Sequence, residues 1–181
     1  MSVTLRRATT ADADFVADLY ADEDVRPWLA AAGRYDREAV HADLERFERE
    51  PASGGLIQIE VDGERAGVCA WKLVYERSRI AQLGGLAIHP DFRGRGIAEE
   101  AARLLQRELI LELGFHRLEL EVYAFNERAQ RHAERAGFVR EGVKRQAYRR
   151  GDGWVDSVCY ALIAEDLDSG TRDGKSEPAG D

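Results

Sequence analysis

The feature that most constrains this chain is a loop rich in glycine and arginine that lies directly between a strand-like and a helix-like segment. Residues 80–89 have the pattern of a β-strand, residues 93–98 read Arg-Gly-Arg-Gly-Ile-Ala, and residues 97–113 keep apolar side chains at helical spacing. Glycines let a backbone approach a ligand closely, and a helix N-terminus presents free N–H groups. The loop is therefore a candidate cradle for a pyrophosphate, and a tight turn with solvated arginines is the alternative.

Two familiar phosphate-binding motifs are excluded by the residues of this loop. No Gly-Lys-Ser or Gly-Lys-Thr follows its glycines, so it is not the P-loop of the nucleotide hydrolases. Its glycine spacing also differs from Gly-x-Gly-x-x-Gly, the dinucleotide-binding fingerprint. A phosphate ligand of this loop therefore belongs to another class of cofactor.

The remaining segments predict a mixed α/β (α+β) domain. The part before the loop reads in the order β-α-α-β-β-β, with strands at 3–8, 56–61, 66–75 and 80–89 and helices at 11–21 and 37–49. After the loop and its helix come a strictly alternating strand, a helix capped by Asn126 and a hairpin of two strands, at 117–123, 126–136, 139–149 and 154–163. This order predicts one domain over residues 1–164. Residues 165–181 have 2 basic and 6 acidic residues and few apolar ones, which predicts a disordered acidic tail.

Charge is distributed unevenly along the chain. The whole sequence has 26 basic and 34 acidic residues, net -8, which disfavours a non-specific nucleic-acid binder. Residues 93–150 have 13 basic and 9 acidic residues, net +4, whereas residues 1–92 have 11 and 17, net -6. The sequence has no membrane-length apolar run, no apolar signal segment and too few cysteines for a disulfide framework. We therefore expect a cytoplasmic protein without a membrane or nucleic-acid partner.

The sequence from Leu86 to Ala98 resembles the acetyl-CoA-binding motif of the GNAT superfamily of N-acetyltransferases, where an apolar strand and a proline precede Arg-Gly-x-Gly-x-Gly/Ala. The sequence from Asn126 to Phe138 looks like the Asn-x-x-Ala and Gly-Phe helix of the same superfamily. The C-terminal strands are similar to the subgroup of ribosomal-protein N-terminal and polyamine acetyltransferases, at Gly142, Arg145, Gly153, Trp154, Asp156 and Tyr160. The resemblance implies the GNAT fold, a mixed and mostly antiparallel central sheet, flanked by helices, whose strands 4 and 5 splay apart to admit acetyl-CoA.

The resemblance also implies which residues bind acetyl-CoA. Backbone N–H groups of the loop would hold the pyrophosphate, and an N–H near Ile88 would polarise the thioester carbonyl. The main chain at the end of the fourth strand would pair with the pantetheine arm. The implied set of cofactor-binding residues is Leu86, Ala87, Ile88, Arg93, Gly94, Arg95, Gly96, Ile97, Ala98, Asn126 and Ala129. Arg131 and Arg135 are candidates for the 3′-phosphate end, and a solvated helix face is the alternative.

The resemblance leaves the catalytic acid and base open. Members of the superfamily often have a tyrosine acid seven residues after the asparagine, where this chain has Ala133. The neighbouring His132 is the candidate acid, since histidine titrates near neutral pH, and a packing histidine is the alternative. Some members have a glutamate base early on strand 4, where this chain has Gln82. Glu121, which shares a face of the fifth strand with Tyr123, is the candidate base, and a solvated strand face is the alternative.

The resemblance implies direct transfer of an acetyl group from acetyl-CoA to a primary amine in a ternary complex. A protein N-terminus, a polyamine, an amino acid or an aminosugar is the expected acceptor, and the acidic first half favours a cationic one. The alternative is an acyl-CoA-binding regulatory module with little catalysis, which the missing tyrosine motivates. No metal site is expected, because the four histidines lack metal-ligand spacing. A homodimer is also expected, since dimers are common in the superfamily.

Overall fold

The computed structural model describes residues 1–29 and 35–169. The strands are β1 Val3–Arg7, β2 Gly54–Val61, β3 Glu64–Tyr75, β4 Ile80–Ile88, β5 Arg117–Tyr123, β6 Val139–Arg150 and β7 Gly153–Ile163. The α-helices are α1 Ala13–Ala21, α2 Arg37–Arg49, α3 Ile97–Arg107, α4 Glu127–Arg135 and α5 Ala164–Ser169, and a π-helical turn, Glu108–Glu112, prolongs α3. Every element predicted from the sequence is present, with ends that differ by a few residues. Helix α5 includes the first five residues of the predicted tail, and residues 170–181 lie outside the described part of the chain.

The seven strands form one sheet in the order β1-β2-β3-β4-β5-β7-β6. Within the described residues, β4 and β5 are the one parallel pair, and every other neighbouring pair is antiparallel. The predicted mixed, mostly antiparallel sheet is therefore confirmed. Strands β1 to β4 precede the glycine–arginine loop and β5 to β7 follow it, so the parallel pair joins the two halves of the chain.

β4 and β5 pair over only the first three residues of each strand. The pairs run from Ile80 with Arg117 to Gln82 with Glu119. Residues 83–88 of β4 have no partner in β5, so the two strands separate toward their C-terminal ends. The splay predicted between strands 4 and 5 is confirmed. It opens a gap at the carboxyl ends of parallel strands, where many α/β proteins bind their ligands.

A β-bulge in β4 sets the direction of the strand at this gap. Two residues of β4, Gly85 and Leu86, lie opposite the single residue Cys69 of β3. Gly85 has a positive φ of 62°, and its carbonyl oxygen accepts a hydrogen bond from the Tyr20 hydroxyl of α1 at 3.1 Å. The bulge therefore depends on the conformational freedom of glycine and on a contact from the helix layer.

Helices cover both faces of the sheet. Helices α1 and α2 pack on one face, where Val16 and Leu44 are fully buried. Helices α3 and α4 pack on the other face, where Leu105 is buried. The adjacent residues Leu56 and Ile57 of β2 belong to different cores, because successive side chains of a strand point to opposite faces. The sheet therefore has a buried core on each face.

We predict that Gly85→Ala destabilises the protein and that Gly84→Ala, one residue earlier in β4, does not. A Cβ at Gly85 would lie 2.8 Å from the Tyr20 hydroxyl oxygen, whereas a Cβ at Gly84 would meet no atom within 4 Å. The left-handed backbone at Gly85 costs a residue with a side chain about 1–2 kcal/mol, so the free energy of unfolding should fall by that amount or more. Urea denaturation measures both variants. Equal stability of the two would contradict a bulge that requires Gly85.

Candidate active site

A cleft of about 580 Å³ opens where β4 and β5 separate. Its walls come from the end of β4, the loop and first turn of α3, the residues after β5, helix α4 and part of the segment that follows α1. All residues predicted to bind the cofactor line this cleft except Arg95. The volume lies in the range of pockets that hold small molecules and cofactors. The structure therefore brings these predicted cofactor-binding residues together in one cleft.

The loop between β4 and α3 leaves open space in front of its backbone. Gly94 and Gly96 have positive φ values of 76° and 75°, and a Cβ at either position would meet no atom within 4 Å. The Gly96 carbonyl oxygen accepts hydrogen bonds from the N–H groups of Glu99 and Glu100, at 3.2 and 3.1 Å, as α3 begins. Among the described residues, no N–H of residues 94–98 donates to a main-chain carbonyl. These N–H groups, with the space before them, fit an anionic group such as a pyrophosphate.

The two arginines of the loop have different surroundings. The Arg93 guanidinium donates hydrogen bonds to the carbonyl oxygen of Ile88 at 2.9 Å and to the carboxylates of Asp24 and Asp22 at 2.9 and 3.3 Å. Arg95 is not part of the cleft wall. Arg93 is therefore not a solvated side chain, and it links the loop to the segment that follows α1.

Further positive charge in the cleft wall comes from α4. Arg128 and Arg135 both line the cleft, and Arg135 Nε lies 3.7 Å from Oε2 of Glu99 in the first turn of α3. Arg131, the other candidate for the 3′-phosphate end, instead pairs with Glu127 at 3.1 Å, and both of these side chains are mostly exposed. Arg128 was not predicted from the sequence, although a separation of seven residues places it on the same helix face as Arg135.

Helix α4 also presents Asn126, Ala129 and His132 to the cleft. The side-chain oxygen of Asn126 accepts a hydrogen bond from the Ala129 N–H at 3.1 Å, so the predicted helix cap is confirmed. Burial of His132 and the charge of Arg135 lower the pKa of its imidazole, although Glu99 acts in the opposite direction. The imidazole is therefore mostly neutral near pH 7.

Glu121 is held on one face of β5 by three hydrogen-bond donors. Its carboxylate accepts from the Lys144 ammonium and from the hydroxyls of Tyr148 and Ser157, the last two at 2.9 Å. Burial by itself would raise the pKa of Glu121, but these hydrogen bonds outweigh it and lower the pKa. Glu121 is not among the described residues of the cleft wall. The structure therefore does not bring it into the same cavity as the cofactor-binding residues.

Two positions where the superfamily often has catalytic side chains have other surroundings here. Ala133 is 2% exposed and packs in the core that α3 and α4 cover. Gln82 pairs with Glu119 in the short ladder between β4 and β5. The residue types themselves exclude an acid at the first position and a base at the second.

Aromatic side chains form the mouth of the cleft. The rings of Trp28 and Phe125 lie 6.0 Å apart, and these residues are 49% and 46% exposed. The Arg150 guanidinium lies 4.8 Å from the centroid of the Phe125 ring and donates a hydrogen bond to the Pro27 carbonyl oxygen at 2.8 Å. Phe125 and Arg150 were missed by the sequence analysis, because no local pattern shows that they meet a segment about a hundred residues away in the chain.

Neither a metal cluster nor a membrane-spanning helix is found in the described residues. No three or more His, Cys, Asp or Glu side chains in residues 1–29 and 35–169 are grouped so that they could hold a metal ion. No helix in the same residues is both long and apolar enough to cross a bilayer.

A family model described as an acetyltransferase (GNAT) domain matches residues 2–139 of the chain. The match includes the glycine–arginine loop and helix α4, so it extends over every residue that lines the cleft. The motifs that carry the resemblance in the sequence and the match to the family model therefore concern the same residues.

Two curated relatives from Bacillus subtilis (strain 168) are similar to this chain. The SPbeta prophage-derived uncharacterized N-acetyltransferase YokL is 30% identical over 83 residues, which are 46% of this chain and 47% of that protein. A putative ribosomal protein bS18-alanine N-acetyltransferase is 30% identical over 144 residues, which are 80% of this chain and 85% of that protein. The chain thus spans about half the length of the first relative and most of the second.

A solved structure with a similar fold is the spermidine N-acetyltransferase of Vibrio cholerae in complex with CoA and spermine. The two structures agree with a TM-score of 0.78 over 91% of this chain and 97% of that one. Sequence identity is 18%, so the likeness concerns the fold alone. The sheet with splayed fourth and fifth strands is the GNAT fold predicted from the sequence.

We predict that the pKa of His132 lies below 6.5 and that its charged neighbours control it. Arg135→Gln removes a nearby positive charge and should raise this pKa, whereas Glu99→Gln removes a negative charge and should lower it further. Because the pKa is lower in the folded than in the unfolded state, the stability contributed by neutral His132 is lost as the pH falls below 6.5. NMR titration of the imidazole C–H signals measures each pKa. A pKa that responds to neither substitution would contradict the electrostatic contact of His132 with Arg135 and Glu99.

Proposed function

The chain belongs to the GNAT acetyltransferase family, and on that premise we propose that it acetylates a primary amine by direct attack in a ternary complex with acetyl-CoA. Family membership makes it an acyltransferase that uses acetyl-CoA. The candidate acceptors are a protein N-terminus, a polyamine, an amino acid and an aminosugar. The observation that carries the proposal is the open backbone of Gly94 and Gly96 at the end of a cleft between splayed strands.

The groups that line the cleft are suited to an extended anionic cosubstrate. The N–H groups of residues 94–98 are proposed to hold the pyrophosphate, and Arg128 and Arg135 add positive charge nearby. The main chain of β4 beyond its ladder with β5 offers hydrogen bonds to the amide groups of the pantetheine arm, as an added strand would receive them. Acetyl-CoA supplies the activated acetyl thioester.

The transfer requires the protein to stabilise charge on one oxygen and to remove one proton. A main-chain N–H near the end of β4 is proposed to donate to the thioester oxygen as negative charge develops there. The amine nitrogen forms a bond to the carbonyl carbon, the carbon–sulfur bond breaks, and the amine gives up one proton. The CoA sulfur leaves as a thiolate.

We assign the proton acceptor to Glu121, which acts through ordered water because it lies outside the cleft wall. The carboxylate is ionised near neutral pH, as a base must be, and the hydrogen bonds that lower its pKa also make it a weaker base. The ring of Tyr148 contacts that of Tyr123, and Tyr123 in turn stacks on Phe125 in the cleft wall, with ring centroids 5.5 and 5.3 Å apart. Glu121 accepts a hydrogen bond from the Tyr148 hydroxyl, so this series of ring contacts leads from Glu121 to the cleft mouth.

The leaving sulfur has little need of an acid. A CoA thiol should titrate near a cysteine thiol, at about 8.5, so its thiolate leaves without full protonation. We propose that neutral His132 donates a hydrogen bond within the cleft, since its lowered pKa leaves little imidazolium at pH 7. This assignment is compatible with Ala133 at the position of the usual tyrosine.

The charges at the cleft mouth bear on the acceptor. Asp22 and Asp24 are paired with Arg93, and Glu121 is paired with Lys144, so few of the nearby carboxylates are free to attract a polycation. The names of the relatives include both a ribosomal-protein alanine and spermidine as acceptors. The acceptor is therefore proposed only as a primary amine. The paired carboxylates do not support the preference for a cationic acceptor that was inferred from net charge.

Release of the CoA thiol, detected with DTNB over a panel of amines, tests the proposed function. The panel contains a ribosomal-protein N-terminal peptide, spermidine, an amino acid and an aminosugar. Turnover with at least one of them is the expected result. Binding of acetyl-CoA without turnover on any amine would contradict the proposal and favour the regulatory acyl-CoA-binding module.

We predict that Gly96→Asp strongly weakens acetyl-CoA binding and that Gly114→Asp does not. Both glycines have a positive φ and open space at the Cβ position, and the helix dipole favours an aspartate at Gly96, the N-cap of α3, over one at Gly114. Only Gly96 lies in the cleft wall, where an added carboxylate would repel a pyrophosphate by about 4 kcal/mol at a separation of roughly 4 Å. Isothermal titration calorimetry should show a Kd at least about 100-fold higher for Gly96→Asp. Unchanged affinity in that variant would rule out the loop as the pyrophosphate site.

A second prediction concerns the base. We expect Glu121→Gln to lower kcat by about 100-fold or more, because an amide cannot accept the proton. Glu119→Gln is the matched control, since Glu119 lies two residues away on the same face of β5 and pairs with Arg117 at 2.7 Å. Steady-state kinetics with the best amine from the panel measure both variants. Equal losses of activity in the two would show that Glu121 supports the sheet and does not accept the proton.

A further inference from the structure

Residues 22–29, which we call the wall segment, form one side of the cleft. The segment begins where α1 ends and contains a 3₁₀ turn, Arg26–Trp28. Within the segment, Val25 and Leu29 are buried and Trp28 is half-exposed at the cleft mouth. The wall segment and the cofactor-binding residues line the same cleft.

The far end of the wall segment is attached to the second half of the sheet. Arg150 of β6 donates a hydrogen bond to the Pro27 carbonyl oxygen at 2.8 Å. The Tyr123 hydroxyl of β5 donates to the Leu29 carbonyl oxygen at 3.2 Å. Both contacts are made to main-chain atoms, so they hold the path of the backbone.

The near end of the wall segment is attached to the cofactor loop by Arg93. Its Nη2 and Nη1 donate to Asp22 and Asp24, and its Nε donates to the carbonyl oxygen of Ile88. Asp22 also shapes the segment, since its side chain accepts from the Asp24 N–H and its carbonyl oxygen accepts from the N–H of Val25. The Arg93 and Asp22 side chains are 26% and 28% exposed, so their ion pair is partly shielded from water.

These contacts leave the Arg93 side chain poorly placed to act as a phosphate ligand. All three guanidinium nitrogens already donate to the protein, and two of the acceptors are carboxylates. The two carboxylates offset the charge of the guanidinium, so a phosphate would be attracted less by Arg93 than by an unpaired arginine. The loop can hold an anion with its backbone N–H groups, which involve none of these atoms.

We propose that Arg93 is a positioning residue for the acceptor amine: through Asp22 and Asp24 its side chain sets the distance of the wall segment from the end of β4. Its backbone belongs to the cofactor loop, and its side chain acts on the acceptor. The proposal rests on the proposed function, because the acceptor is the amine of that reaction. It predicts that breaking the link weakens use of the amine and leaves acetyl-CoA binding intact.

A double-mutant cycle tests the link with the best amine from the panel. Arg93→Gln is expected to raise the KM of the amine by about tenfold and Asp22→Asn by less, because Asp24 stays paired with Arg93, and the double variant should raise it no more than Arg93→Gln alone. The Kd of acetyl-CoA for Asp22→Asn should stay within about twofold of the unaltered protein, which is less than 0.5 kcal/mol by the usual conversion. Multiplicative effects on KM, or a rise in the Kd of acetyl-CoA that matches the rise in KM, would overturn the proposal.

Asp18→Asn is the matched control. Asp18 lies on α1 four residues before Asp22 and pairs with Arg37 at 2.7 Å, away from the cleft wall. The substitution removes the same charge from the acidic half of the chain and should leave the KM of the amine unchanged. An equal rise in KM for Asp18→Asn would show that general attraction by acidic residues, and not the link through Arg93, governs use of the amine.

Hydrogen exchange followed by mass spectrometry tests the link without any turnover. In Arg93→Gln and Asp22→Asn, the amides of residues 22–29 should exchange faster, while those of α1 and α2 keep their protection. Unchanged exchange in the wall segment would overturn the proposal even if acetyl transfer is slower. Failure of the unaltered protein to bind acetyl-CoA or to acetylate any amine would instead contradict the proposed function, and the exchange result would still decide whether Arg93 positions the segment.

Discussion

The short parallel contact between β4 and β5 is the constraint on which the rest of the structure depends. Three residue pairs, ending at Gln82 with Glu119, join the two halves of the chain into one sheet. Because parallel strands end at the same edge, the loop after β4 and the residues after β5 meet at the gap that opens there. The bulge at Gly85 turns β4 at this point. A ladder that continued along β4 would close the gap in which the cleft lies.

Charge in the site is organised by pairing. The basic segment, residues 93–150, begins and ends with arginines that both hold the wall segment: Arg93 through the side chains of Asp22 and Asp24, and Arg150 through a main-chain carbonyl. In the cleft wall itself, Arg128 and Arg135 of α4 add positive charge, and the loop adds backbone N–H groups. The opposite net charges of residues 1–92 and 93–150 therefore reflect ion pairs between these segments more than they indicate a charged ligand.

Most of the fold and the cofactor side of the cleft could be predicted from the sequence, because both depend on local patterns. Alternation and helical spacing identified the elements, and the glycines of the loop identified a backbone that a ligand can approach. The position of Glu121 among three donors and the part of Arg150 in the site could not be predicted. Each depends on which strands and helices become neighbours, and no spacing within one element contains that information.

The sequence by itself determined the order of the elements and the glycine–arginine loop before α3. It also determined that Ala133 stands where family members often have a tyrosine, and that Gln82 stands where some have a glutamate. Local chemistry is sufficient for these, since the allowed backbone angles and the side-chain inventory belong to the residue. Only the tertiary structure decided that the Arg93 side chain turns toward the segment after α1 and away from a role as a solvated charge. A guanidinium can reach several partners, and the carboxylates that capture it lie about seventy residues earlier in the chain. They are brought within 3.3 Å by the packing of α1 beside the end of β4.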